Sequence, residues 1–288
     1  MLHEKRRTER KNGGRDDLTS LLRATAIDAA TSTGKLLRTG FGRPQQVDHS
    51  LEHDLKLALD RACEEKVLGV LRRNFPGHAV LSEEMGYAPG RDPYVWIVDP
   101  LDGTVNYYHG LPHFCTSIAC HAVQDAGAEN PGPALPDGRR VGAACVGAIF
   151  DPLREEVFVG TAGGRATLNG EPLALPPQVD LSQAVVVVSF GVRDESLAFM
   201  SRIVPLLSVQ AQKVRSLGST ALDMAYVAAG RIGAFIQHGT NLWDFTAAAV
   251  VVRAAGGTVD AREIVPGRYR VIACNPGLHE RLSRLVES

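Results

Sequence analysis

Asp99 and Asp102 stand three residues apart in the run Trp-Ile-Val-Asp-Pro-Leu-Asp-Gly-Thr-Val-Asn at 96–106. An apolar stretch that stops abruptly at Pro and Gly reads as a buried strand, and α/β proteins place ligands beyond strand ends. Two carboxylates held that close need a cation. Carboxylates and peptide carbonyls, with no His or Cys within the turn, suit Mg²⁺ or Mn²⁺ and argue against zinc. Just past Asp102, the amides of Gly103 and Thr104 can form an anion-binding nest, and the Thr104 hydroxyl can orient a water. Acids for a metal beside amides for an anion point to a phosphate ester.

Further acids fall in comparable places. Glu83 and Glu84 follow a short apolar strand in Phe-Pro-Gly-His-Ala-Val-Leu-Ser-Glu-Glu-Met-Gly at 75–86, where one or the other can face the same metals, the alternative being a solvated loop or a helix start. Asp244 lies near the start of an Ala-rich helix that ends at Gly256 and Gly257, and it serves either the helix dipole or a metal. Asp60 sits within a helical pattern over 54–74, where an acid is by default a solvated face residue.

Together these segments resemble the inositol monophosphatase family of Mg²⁺-dependent, lithium-sensitive phosphatases, from about residue 47 to the C-terminus. The run at 96–106 is similar to the first family signature. Trp-Asp-Phe-Thr-Ala-Ala at 243–248, leading to Ala-Gly-Gly at 255–257, is similar to the second. Ser-Glu-Glu at 82–84, Gly-Gly-Arg-Ala-Thr-Leu-Asn-Gly at 163–170 and Arg-Ser-Leu-Gly-Ser at 215–219 follow the family's order. The resemblance implies that Glu83, Asp99, the Leu101 carbonyl, Asp102 and Asp244 ligate metal, with Glu84 as a supporting acid near the weakest site. Asp60 and Thr104, together with Glu83, would then position and activate the attacking water. Two such ions roughly 3.5–4 Å apart can activate water and neutralise the leaving alkoxide. Direct in-line attack by water is expected, because no nucleophilic Ser or Cys motif accompanies the acids. The Asp-x-x-Asp spacing also differs from the Asp-x-Asp of haloacid-dehalogenase-type phosphatases.

For the substrate, the resemblance directs Gly218, Ser219, Thr220 and Gln237, with Asp102 and Asp244, toward sugar hydroxyls or phosphate. Gln237 departs from the acid that many inositol phosphatases carry there, and a neutral amide can still bind two hydroxyls. Leu57, Leu59 and Ala254 are further departures. The expected substrate is a small polyol or sugar phosphate, with myo-inositol 1-phosphate first. Fructose-1,6-bisphosphate, histidinol phosphate and the nucleotide 3'-phosphoadenosine 5'-phosphate are handled by relatives. A regulatory binding protein on the same fold is the alternative of another class. The resemblance also implies an α/β (α+β) fold, a layered αβαβα sandwich of the inositol monophosphatase/fructose-1,6-bisphosphatase type, and usually a homodimer.

The elements that must position these residues can be read coarsely. Helices are expected over 17–37 and 54–74, and short strands near 79–81 and 94–98 deliver the acids. Strands at 118–123 and 141–150 read as antiparallel partners joined by a mobile Gly-, Pro- and Ala-rich loop over 125–139. From 184 onward strands alternate with helices, including 185–189, 219–229, 234–236 and the Asp244 helix. The expected organisation is a lobe over 17–183 with most metal ligands and a lobe over 184–288 that closes the site with Asp244 and the substrate-binding residues.

A chain of 288 residues with 44% hydrophobic content excludes general disorder. Its net charge of -1 gives no reason to expect a nucleic-acid partner. No apolar run reaches the ~18 residues of a membrane span, and the N-terminus lacks the apolar core of a secretion signal. Five cysteines, an odd number without a Cys-x-x-Cys pair, read as small buried apolar residues in a reducing cytoplasm. Lys5, Arg6, Arg7, Arg10, Lys11 and Arg15 make 1–16 a basic arm, expected to be disordered.

Overall fold

The computed structural model describes residues 2–51, 54–125, 127–128, 132–176, 179–191 and 193–287, apart from the side chains of 2–16, 49–51 and 54–55. In chain order the elements are α1 (Leu2–Thr31), α2 (Gly34–Gly40), β1 (Val47–Leu51), β2 (Asp54–Leu57), α3 (Ala58–Asn74), β3 (Ala79–Ser82), β4 (Gly86–Ala88) and β5 (Tyr94–Asp102). There follow α4 (Thr104–Tyr108), β6 (Cys115–Gln124), β7 (Arg140–Asp151), β8 (Glu156–Thr161), β9 (Ala166–Leu168) and β10 (Glu171–Leu173). The remainder is β11 (Val185–Phe190), α5 (Asp194–Gln210), β12 (Lys213–Arg215), α6 (Thr220–Ala228), β13 (Ala234–Thr240), α7 (Leu242–Ala254), β14 (Thr258–Val265), β15 (Arg268–Cys274) and α8 (His279–Glu287).

Two mixed sheets dominate. The larger has eight strands in the order β10-β9-β8-β7-β6-β5-β3-β4, all from before residue 184. The smaller has five, β12-β11-β13-β15-β14, all from after it. Strand alternation sorts the side chains into layers. Trp96 and Val98 of β5 face Leu22 and Ala26 of α1 and Val67 and Leu71 of α3. Val95 and Ile97 face the opposite way, into a core shared with Ala221 and Ala225 of α6, Ala248 and Val252 of α7, and Phe235 and Val271 of the smaller sheet. The far face of the smaller sheet, through Val186, Ile236 and Ile272, packs on Met200 and Ile203 of α5 and Leu282 of α8. The order is therefore helix, sheet, helix, sheet, helix, the layered αβαβα sandwich that was expected.

An Ala-rich α7 follows from this placement, since a helix pressed between two sheets must be slim on every side. The larger sheet meets it with glycines. A Cβ on Gly147 of β7 would stand 2.9 Å from the carbonyl carbon of Ala247 and 3.0 Å from its Cα. A Cβ on Gly160 of β8 would stand 2.7 Å from the Cα of Val251, one turn further along α7.

Several expected boundaries differ. Helix α1 begins at Leu2, not at 17, because its first half is rich in strong helix formers such as Glu4, Lys5, Arg6 and Arg10. The helix expected over 54–74 begins at Ala58, because 54–57 pairs with β1 as a hairpin. The first helix breaks after Thr31, where Ser32 and Thr33 turn their hydroxyls back onto the carbonyls of Ala29 and Ala30. β6 and β7 do pair antiparallel. The loop expected to be mobile between them lies partly outside the described residues.

Candidate metal centre

Asp99 and Asp102 close β5, and both line one cavity of about 270 Å³. Residues three apart on a regular strand point to opposite faces. A bulge corrects this: between Asp99, opposite Ser117, and Asp102, opposite Cys115, β5 spends one residue more than β6. The same cavity is lined by Glu83 from the turn after β3, by Leu101, Gly103 and Thr104, by Gly218 and Thr220 at the start of α6, by Gln237 of β13 and by Asp244 of α7. Both halves of the chain thus supply acids to one site.

Hydrogen bonds fix each acid. Asp102 Oδ2 accepts from Ser219 Oγ at 2.7 Å and from the Ala221 amide at 2.7 Å. Asp99 Oδ1 accepts from the Leu101 amide at 3.1 Å. Asp244 occupies the third position of α7, and its Oδ2 accepts from Thr240 Oγ1 at 2.7 Å and the Asn241 amide at 2.8 Å. The helix-capping and cavity-lining readings of Asp244 are therefore both satisfied, with every one of these contacts on Oδ2. Thr104 Oγ1 donates to the Leu101 carbonyl at 2.9 Å, which fixes the hydroxyl at the mouth of the turn.

The electrostatics are those of crowded, buried carboxylates. Burial pushes Glu83 well above the usual carboxylate range, and Asp244 and Glu84 add repulsion. Asp99 is raised well above it by burial, then by Glu83, Asp102 and Asp244. Asp102 is raised to about 7, chiefly by burial and by Asp244, against the donors Ser219 and Ala221. Burial also raises Asp244. Among the described residues no three acidic, His or Cys side chains already close into a ligand cage. The acids come from β5, the turn after β3 and α7, and they repel one another across the cavity. An all-oxygen donor set of four carboxylates and a peptide carbonyl fits a hard divalent cation, which would relieve that repulsion.

Other expected residues lie just outside. Asp60 is buried, at 2% exposed, but does not line the cavity; its Oδ2 accepts from the Leu57 amide at 2.7 Å, and its charge is felt at Glu83. Glu84 turns away to pair with Lys56 at 2.9 Å. Ser219 reaches the site through Asp102 rather than by lining it. Gln237 Oε1 accepts from Thr220 Oγ1 at 2.8 Å, which leaves its amide donors for a ligand. Val105, Phe190 and Arg268 line the cavity without having been expected there. Arg268 gave no signal in the sequence, because it enters from the β14–β15 hairpin and belongs to no spaced motif.

Two glycines need their left-handed backbone here. Gly103, at φ 96°, lets the chain turn from β5 into α4. Gly218, at φ 90°, passes so close to Asn106 that a Cβ would stand 2.9 Å from its Nδ2. That nitrogen donates to the carbonyls of His113 at 2.8 Å and Leu217 at 2.7 Å, tying the segment before α6 to α4.

An αβαβα sandwich with acids from both halves of the chain lining one cavity is the arrangement to be set beside known proteins. The inositol monophosphatase family model matches residues 18–125 and 140–288, and the chain belongs to that family. It is 34% identical to inositol monophosphatase 1 of Solanum lycopersicum over 266 residues, covering 88% of this chain and 90% of that protein. It is 35% identical to the Nus factor SuhB of Escherichia coli strain K12, covering 81% and 82%. Among solved structures, the inositol monophosphatase of Anabaena superposes with a TM-score of 0.74 at 33% identity, over 92% of this chain and 95% of that one. The extragenic suppressor protein suhB of Bartonella henselae gives 0.81 at 27% identity, over 93% and 99%. Among the described residues no helix is long and apolar enough to cross a membrane, and no disulfide joins any of the five cysteines.

Proposed function

We propose that this protein is a Mg²⁺-dependent phosphomonoesterase acting on a small polyol or sugar phosphate, with myo-inositol 1-phosphate the first candidate. The observation that carries this reading is the convergence of Glu83, Asp99, Asp102, Asp244 and the Leu101 carbonyl on one cavity, beside the Gly103–Thr104 turn. Mg²⁺ held by those five groups, or Mn²⁺ in its place, supplies Lewis acidity and charge neutralisation for phosphate ester hydrolysis. Ser219 and Ala221 hold Asp102 in orientation. Thr104, with Glu83 and, from behind it, Asp60, orients the attacking water, and the Gly103 and Thr104 amides receive phosphate. Gly218, Thr220 and the Gln237 amide bind hydroxyls of the leaving alcohol, with Asp102 and Asp244 at the base of the cavity. Glu84 adjusts the field at Glu83.

Water is the attacking group because no side-chain nucleophile is poised. The buried Cys115 thiol stands 3.7 Å from Asp102 Oδ2, with its pKa pushed well above the usual thiol value by burial and then by Asp102. The reading extends to lithium inhibition, a homodimer and a cytoplasmic site of action, properties usual in the family. Fructose-1,6-bisphosphate, histidinol phosphate and 3'-phosphoadenosine 5'-phosphate are the competing substrates. The relatives named Nus factor SuhB favour a second reading, a regulatory binding protein on the same fold.

Phosphate release from these four substrates, with Mg²⁺, with chelator and with Asp102→Asn, tests the proposal. Mg²⁺-dependent turnover that is lost in Asp102→Asn supports it and ranks the substrates. No turnover on any substrate by folded, Mg²⁺-bound protein refutes the phosphatase reading for them and leaves the binding role.

A further inference from the structure

A second cavity, of about 360 Å³, opens between the β6–β7 pair, α7 and the β14–β15 hairpin. It shares no lining residue with the acid cavity. Its polar groups are unlike those of a packing defect. His121 is only 8% exposed. Its Nδ1 lies 3.2 Å from the Gly142 carbonyl, an acceptor only, so Nδ1 carries the hydrogen and Nε2 presents a lone pair. That Nε2 is buried without a hydrogen-bond partner among the described residues. Burial, with Arg253 nearby, holds the imidazole neutral down to a pKa of about 4. Buried polar atoms are nearly always satisfied, so this lone pair calls for a donor from outside the chain.

The rim supplies charge. Arg253 and Arg140 both line the cavity, and neither is paired with a carboxylate among the described contacts; their guanidinium groups meet the carbonyls of Val259 and Gly132. The one acid in the lining, Glu263, already accepts from the Gly267 amide at 2.7 Å. Between His121 and the arginines the wall is apolar, from Val141, Leu242 and Phe245.

We propose that this cavity binds a small organic anion whose apolar body carries a hydroxyl or N–H donor, the anion on Arg253 and Arg140 and the donor on His121 Nε2. The proposal concerns binding alone and stands whether or not the acid site is a phosphatase centre.

The probe is 4-hydroxyphenylacetate, compared by calorimetry with phenylacetate, which lacks the donor, and 4-hydroxybenzyl alcohol, which lacks the anion. Saturable binding of 4-hydroxyphenylacetate is expected, weakened about tenfold in each of the two comparison compounds. Arg253→Gln and His121→Phe should each weaken it by a similar factor, with melting curves to establish that both are folded. In the parent protein, the His121 Nε2 nitrogen resonance should move on adding 4-hydroxyphenylacetate and stay in place with phenylacetate, a readout that survives if His121→Phe does not fold. Absence of saturable binding by all three compounds overturns the proposal. So does an affinity that either folded variant leaves unchanged, or a His121 resonance that ignores the hydroxyl.

Discussion

Replacing Gly147 with alanine tests whether the spacing of the acid-bearing elements is set by main-chain contact. The added Cβ would stand 2.9 Å from the carbonyl carbon of Ala247 and 3.0 Å from its Cα, with the Ala247 oxygen nearer still. Ordinary carbon–carbon contact is about 3.5–4.0 Å, so α7 and β7 must part by roughly 0.5–1 Å. No flexible side-chain end is involved, and the strain falls on backbone. Overpacking of this kind costs about 1–3 kcal/mol, which lowers the melting temperature by about 2–4 °C per kcal/mol in a chain of this size. Asp244 rides on the first turn of the displaced helix. A misplacement approaching 1 Å costs on the order of 100-fold in rate where positioning governs catalysis. Thermal melts, Mg²⁺ affinity by calorimetry and Mg²⁺-dependent phosphate release should therefore fall together. Gly69→Ala in α3 is the control: its Cβ meets only the Arg73 side chain, at 3.6 Å, and should stabilise by about 0.5–1 kcal/mol with unchanged turnover. Parental melting and parental turnover in Gly147→Ala would refute the reasoning.

Ser219→Ala removes a donor from the buried Asp102 carboxylate and should weaken Mg²⁺ binding about 10-fold or more, since hydrogen bonds to charged groups are worth about 1.5–3 kcal/mol; unchanged Mg²⁺ affinity would separate Ser219 from the site. Arg268→Ala should change KM among phosphate esters with differently charged leaving groups more than it changes kcat, because the guanidinium lines the cavity without ligating metal; an equal loss for every substrate would count against that role. Stability should also depend on His121. Its pKa is about 4 in the folded protein and near 6.5 when unfolded, so the unfolded chain takes up the proton first. The contribution is full above pH 6.5, falls by about 3 kcal/mol as pH drops toward 4, and levels off below. Urea titrations across that window should show a shallower slope in His121→Gln, while His78 and His238, shifted in the same direction, keep the remainder.

The acid set was legible because its chemistry is written locally: Asp99, Asp102 and Thr104 lie within one turn, and Glu83 and Asp244 each follow a recognisable element boundary. The layered fold was legible through family resemblance, whereas strand alternation reveals the two faces of β5 only once its partners are known. Asp60 was harder to place, because a capping role toward the Leu57 amide and a cavity role produce the same residue in the same helical pattern. The β1–β2 hairpin was missed because 54–57 is as compatible with a helix start as with a strand. Arg268 and Phe190 reach the cavity from elements joined only by tertiary packing, and nothing in their spacing announces it.

The extra residue in β5 between Asp99 and Asp102 has a consequence for how this segment can vary over evolutionary time. Pairing with Ser117 and Cys115 on β6 counts residues rather than reading them, so losing one position between 99 and 102 would flatten the bulge and leave the two acids two apart on a regular strand, still on one face but without the extra peptide unit between them. Length at this point therefore sets how many peptide groups the turn offers, whatever side chains they carry. A lineage can exchange the residue at 100 or 101 and keep every main-chain carbonyl of the turn, including the Leu101 carbonyl that receives Thr104 Oγ1, but a single-codon deletion there takes one away.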